Sequence, residues 1–107
     1  MNSSEIESTT VDQLPDPLPA DLTVLDVREP HEYEITSIPE AVLIPKDQLP
    51  DRLSDLDETK EYVVHCKSGA RSLDSTKLLR GAGFRARSMR GGINAYSRQV
   101  DPEIPTY

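Results

Sequence analysis

Tyr62-Val63-Val64-His65-Cys66 is a short, β-branched, apolar run that does not alternate with polar residues, and this constrains the fold more than any other feature of the chain. A strand covered on one face alternates, whereas a continuous apolar run belongs to a strand buried on both faces, which in practice means a parallel sheet. Thr23-Val24-Leu25-Asp26-Val27 and Ala41-Val42-Leu43-Ile44 read the same way. Parallel neighbours need crossovers, and the intervening segments supply them. Pro30 to Ile35 is helical in character, with Pro30 suited to a first helical position; about Asp47 to Leu56 carries Leu49, Leu53 and Leu56 at helical spacing. The clearest helix is Arg71 to Ala82, with Leu73, Leu78, Leu79 and Ala82 on its apolar side and Gly83 as its terminator. Phe84 to Met89 reads as one more edge strand, Gly91-Gly92 as a turn, and Ile93 to Arg98 as a last helical turn before Pro102 and Pro105. The expected fold is therefore α/β, a mostly parallel central sheet with helices on both faces. Ligands in such sheets bind beyond the carboxyl ends of the strands. Cys66 stands at one of those ends.

Residues 1-8 are expected to be a flexible tail or linker stub, and residues 9-107 a single domain, because 107 residues are too few for two separate cores. Pro15, Pro17 and Pro19 alternate and make a short extended connection. No run of apolar residues approaches membrane-spanning length and the amino terminus has no secretory pattern, so a cytoplasmic setting is expected. Cys66 is the single cysteine and cannot form an internal disulfide; with His31 and His65 it provides three potential ligands, short of a structural zinc set, so no metal site and no cofactor are expected. The formal charge of -7 conceals a split. Residues 1-61 hold four basic and sixteen acidic side chains, and residues 62-107 hold eight basic and three acidic. An anionic substrate or acidic partner is drawn to the second half, which contains Cys66. The acidic balance and the scarcity of aromatic residues argue against a nucleic-acid partner.

Val63 to Ser72 places a buried strand, a cysteine, four residues, an arginine and then a helix in succession. A loop that turns directly from strand to helix aims several backbone N–H groups at one point, and the helix amino terminus adds partial positive charge there. A thiolate at Cys66 is favoured in that field. Gly69 permits the backbone to curl closely around a bound group, and Arg71 stands where its guanidinium can close the loop and face an oxyanion. A buried structural cysteine gains nothing from Lys67-Ser68-Gly69-Ala70-Arg71 behind it, so the reactive reading is preferred. Strand alternation turns His65 to the other face, in a packing or hydrogen-bonding role. Asp26 and Arg28 fall at the end of another strand, on the same rim. His31, Tyr33 and the acidic residues around them read as solvated surface.

The active loop Cys66 to Arg71, Asp26-Val27-Arg28-Glu29-Pro30 with Glu32-Tyr33, Ile38-Pro39-Glu40-Ala41 and the paired Gly91-Gly92 together resemble a rhodanese-like sulfurtransferase domain, over about Thr9 to Tyr107. The resemblance implies a sheet of about five strands, a catalytic Cys66, substrate binding by Lys67, Ser68, Gly69, Ala70 and Arg71, and bracing of the loop by Asp26 and Arg28. Four residues between Cys and Arg are typical of the sulfur-transferring members; related phosphatase and arsenate reductase loops have five. The chain departs from the family with Thr36-Ser37 in place of Gly-His and Tyr96 in place of Trp.

The implied chemistry moves sulfane sulfur from thiosulfate or a protein persulfide through a Cys66 persulfide to a thiophilic or sulfur-carrier acceptor. With no second cysteine, the acceptor must be external. Gly91 to Tyr96 and Val100 to Tyr107 are similar to the carboxy-terminal domains of fused adenylyltransferase/sulfurtransferase proteins, which implies a ubiquitin-like sulfur carrier and an adenylyltransferase domain as partners. Two other readings compete: a noncatalytic docking or regulatory module, and a phosphatase or arsenate reductase.

Overall fold

The computed structural model describes residues 8–9, 18–67, 69–99 and 103. The tail through residue 7, Pro15 and Pro17 of the extended connection, Ser68, and the ending at 100–107 apart from Glu103 lie outside the described residues. In chain order the elements are β1 (Ser8–Thr9), β2 (Leu22–Asp26), α1 (Pro30–Ile35), β3 (Val42–Leu43), a 3₁₀ segment (Lys46–Asp55), β4 (Glu61–His65), α2 (Ala70–Gly81), β5 (Arg85–Met89) and α3 (Gly92–Gln99). The strands form one five-stranded sheet in the order β1-β5-β4-β2-β3, and every pairing is parallel. The register sets Asp26, last in β2, directly beside His65, last in β4, so both chains leave the sheet on one rim.

The two faces divide the core. Tyr62, Val64 and Cys66 lie with Leu25, Val27, Leu49 and Leu79 in one cluster, beneath α2 and the 3₁₀ segment. Val63 packs with Val24, Met89, Ile93 and Ala95 on the other face, which α3 covers. Alternation along β4 therefore buries both sides, as its unbroken apolar run requires.

Three expectations change. Phe84 to Met89 is not an edge strand: β5 lies between β4 and β1, with Ser8 opposite Ser88 and Thr9 opposite Met89. Ser8, read as tail, thus belongs to the sheet, and Arg85 and Arg87 are carried by an interior strand. The leucine-spaced segment is 3₁₀ in place of α, kinked at Arg52 (φ -118, ψ 15), because Pro50 within it has no N–H to donate. Its Leu49 is still fully buried. No helix among the described residues is long and apolar enough to cross a membrane.

Candidate active site

Cys66 is the first residue beyond β4, and the chain turns at once into α2. Gly69 makes that turn at φ 125, a region open to glycine and hostile to side chains. Its N–H points at Cys66 Sγ from 3.0 Å, and the N–H of Ser72, in the first turn of α2, points at the same sulfur from 3.4 Å. Helix-start amides have no acceptor within their own helix; here the sulfur receives one. Ser72 is fully buried, and its hydroxyl fixes the arrangement by donating to Gly69 O at 3.0 Å and meeting Ser88 Oγ of β5 at 2.9 Å. Cys66 is 1% exposed, held inside the loop it begins. Lys67 and Gly69 are half-buried and Ala70 is exposed at the loop's outer side.

Arg71 grips Glu32 of α1 with both ends of its guanidinium, Nη1 to Oε1 at 2.6 Å and Nη2 to Oε2 at 3.0 Å. Glu32 is 7% exposed. It also accepts the N–H of Glu29 at 3.0 Å and completes a capping box at the start of α1. The acidic run around His31 is thus not simply solvated surface. His31 itself is exposed, but Tyr33 is half-buried, donating its hydroxyl to Ala41 O at 2.9 Å. Glu32 is the site residue that sequence reasoning missed. The available signal was Glu29-Pro30-His31-Glu32, a glutamate three residues beyond an N-cap position that a proline follows.

Asp26 and Arg28 are both completely buried, so neither offers surface to a substrate. Arg28 donates from Nη2 to Asp26 Oδ2 at 2.7 Å, from Nε to both carboxylate oxygens, and from its backbone N–H to Oδ1 at 2.9 Å. Its Nη2 also reaches Thr36 O at 2.8 Å, just past the end of α1. The pair fastens α1 to β2, and α1 in turn presents Glu32 to Arg71. His65 is fully buried, with Nδ1 3.2 Å from Cys66 O and Nε2 3.6 Å from Asp26 Oδ2. Burial pushes its imidazole below the ordinary histidine value, opposed by the Asp26 charge, and the ring is neutral at neutral pH. Lying on the face away from Sγ, it is no general base for Cys66. No group of three or more His, Cys, Asp or Glu capable of holding a metal occurs among the described residues.

The sequence that places two main-chain amides on Cys66 at a strand-to-helix junction matches, over residues 10–99, the family described as the rhodanese-like domain. The chain belongs to this family. The rhodanese-like domain is 44% identical over 89 residues to the chloroplastic rhodanese-like/PpiC domain-containing protein 12 of Arabidopsis thaliana, covering 78% of this chain and 30% of that one. It is 35% identical over 85 residues to a protein of Allochromatium vinosum named a sulfurtransferase, covering 78% and 79%. The adenylyltransferase and sulfurtransferase MOCS3-1 of Zea mays is 37% identical over 92 residues, with 78% of this chain but 20% of that protein covered. The match thus spans about four fifths of the Allochromatium protein and under a third of the other two. Among solved structures, a rhodanese-related protein from Thermoplasma volcanium superposes with a TM-score of 0.82 at 31% identity, covering 88% of this chain and 93% of that one.

Within this rhodanese-like domain the two departures from the family pattern sit away from the sulfur. Thr36 serves through its carbonyl, which accepts Arg28, and Tyr96 is half-buried against the α3-side cluster. Relatives named as sulfurtransferases support sulfur transfer as the general activity.

Proposed function

We propose that the domain carries sulfane sulfur on Cys66, taking it from thiosulfate or a protein persulfide. The Cys66 thiolate attacks the outer sulfur of the donor; the donor's S–S bond breaks, sulfite (from thiosulfate) or the donor cysteine's thiolate (from a protein persulfide) leaves with the bonding electron pair, and Cys66 retains the outer atom as a persulfide. A nucleophilic acceptor then attacks that atom, and the Cys66 thiolate departs unchanged. The observation that carries this reading is the convergence of the Gly69 and Ser72 amides on Sγ. Donors of this kind stabilise negative charge on the thiolate at the start and end of the cycle and on the persulfide between.

Lys67, Gly69, Ala70 and Arg71 form the donor-binding side of the loop in this account, with Ser68, outside the described residues, between them. Arg71 serves chiefly by tying the loop to Glu32. Asp26 and Arg28 brace the loop at one remove, by fastening α1. The acceptor is an external thiophile, which attacks the outer sulfur as above, or the carboxy-terminal tail of a ubiquitin-like sulfur carrier activated by an adenylyltransferase domain, a partnership suggested by relatives in which the two activities share a chain. With the adenylated tail the persulfide is the nucleophile, its outer sulfur displacing AMP from the acyl carbon, and two external thiols then reduce the acyl disulfide to a thiocarboxylate and the Cys66 thiolate while becoming a disulfide themselves. A cytoplasmic setting and the absence of any resident cofactor belong to the same proposal.

Thiocyanate formation from thiosulfate and cyanide tests it. The parent protein turns over and Cys66→Ser does not. Equal rates in the two proteins, or hydrolysis of an aryl phosphate in preference to sulfur transfer, would overturn the assignment.

A further inference from the structure

Resting on the sulfur-transfer reading, we propose that the first turn of α3 is a positioning element for the Cys66 loop, and that Gly92 is the residue on which it depends. A loop whose amides face a central sulfur must turn carbonyls outward, and those carbonyls need donors. The N–H of Ile93 donates to Cys66 O at 2.9 Å and the N–H of Asn94 to Lys67 O at 3.2 Å. These are first-turn amides of α3, groups that no helix can satisfy internally. Because the peptide unit is planar and trans, fixing the Cys66 carbonyl on α3 also fixes the Lys67 N–H in the opposite direction. Two backbones that each lack partners therefore complete one another, and the helix end sets the aim of the loop.

The approach is possible only because position 92 has no side chain. A Cβ there would overlap Cys66 O and stand 2.6 Å from Lys67 O and 2.7 Å from Lys67 C. All three obstacles are main-chain atoms, which cannot rotate aside, so the loop or the helix must retreat. Gly91 supplies an internal contrast. It too has positive φ, 80 against 58 for Gly92, but a Cβ at 91 meets the side chain of Ala95, 2.6 Å away within α3 itself. Backbone strain is common to both positions, whereas collision with the sulfur-bearing loop is peculiar to Gly92.

The experiment compares Gly92→Ala, Gly91→Ala and the parent by thiosulfate sulfurtransferase kinetics, by the rate at which iodoacetamide alkylates Cys66, and by urea unfolding. A displacement of reacting groups by about 1 Å lowers rates by about 100-fold, so Gly92→Ala is expected to lose roughly ten- to hundredfold in kcat per folded molecule and to alkylate at a changed rate. Gly91→Ala is expected to lose stability while its folded fraction keeps the parent's kcat to within about twofold. If Gly92→Ala does not fold, Asn94→Pro decides: it removes the donor to Lys67 O without breaking a hydrogen bond inside α3, whose first-turn amides have no internal acceptor, and a severalfold fall in kcat is expected. Folded Gly92→Ala or Asn94→Pro protein with the parent's kcat and alkylation rate would overturn the inference, as would equal kinetic losses at positions 91 and 92. A parent protein with no sulfur transfer defeats the functional reading instead, and the alkylation rates still decide whether α3 positions Cys66.

Discussion

Removing the charge of Glu32 tests whether a residue from the acidic half of the chain organises the sulfur site. Glu32→Gln keeps the shape of the side chain but turns one carboxylate oxygen into an amide that faces a guanidinium. The Glu32 carboxylate accepts from both ends of the Arg71 guanidinium and from the Glu29 N–H. Hydrogen bonds to charged groups contribute ~1.5–3 kcal/mol, and breaking a sealed ion pair costs ~3–5 kcal/mol. This pair is not sealed: the Arg71 side chain is 33% exposed and that of Glu32 9%, so the guanidinium regains water when its partner is lost. A destabilisation of about 2 kcal/mol is expected, between the sealed pair and the near-zero value of an exposed one. With an m-value of ~1–3 kcal/mol per molar urea for a small domain, the unfolding midpoint falls by about 1 M. Lys46 and Asp74, with side chains 41% and 61% exposed at 3.1 Å, provide the control, and Asp74→Asn should change stability by less than about 0.5 kcal/mol. A cycle with Arg71→Met isolates the pair, and coupling of about 1–2 kcal/mol is expected. Coupling indistinguishable from zero, or equal effects of Glu32→Gln and Asp74→Asn, would refute the claim that Glu32 anchors Arg71.

Three further outcomes are expected. Asp26→Asn removes the carboxylate charge that pairs with the buried Arg28 guanidinium and costs ~3–5 kcal/mol in urea unfolding, more than the joint replacement Asp26→Leu/Arg28→Met. His65 has its proton affinity lowered in the folded state, so the unfolded chain protonates first; its contribution is fully present above the ordinary value of 6.5 and is lost as pH falls below it. Stability measured from about pH 7 to 5 should therefore decline less steeply in His65→Gln than in the parent. Binding of a sulfur-carrier tail to the basic half should weaken as salt rises from low to physiological strength, and a dissociation constant indifferent to salt would count against electrostatic recognition.

What the sequence disclosed follows from how local each determinant is. Pro30 marks the first residue of α1 and the helix ends at Ile35 as read, because a proline at a first helical position needs no tertiary context. The β4-to-α2 junction was equally plain, since the unbroken run before Cys66 and the glycine after it act within ten residues. Glu32 was obscured because its meaning depends on Arg71, thirty-nine residues later. β5 was misplaced for a related reason. Arg87 reads as a surface charge, yet it pairs with Glu61 of β4 at 3.0 Å while Ala86 and Ser88 turn inward, and a charge neutralised across a sheet is not visible in either strand alone. The role of Gly92 lies one step further away, in the space that a side chain would occupy against a loop twenty-five residues earlier.

Sulfur transfer by this domain requires Cys66 to accept and hold one additional sulfur atom. An intact-mass spectrum after exposure to thiosulfate measures that directly: the parent should gain the mass of one sulfur atom, a reductant should remove it, and Cys66→Ser, in a chain with no other cysteine, should gain none. A parent mass unchanged by thiosulfate and by a protein persulfide donor, or the same gain in Cys66→Ser, would contradict it.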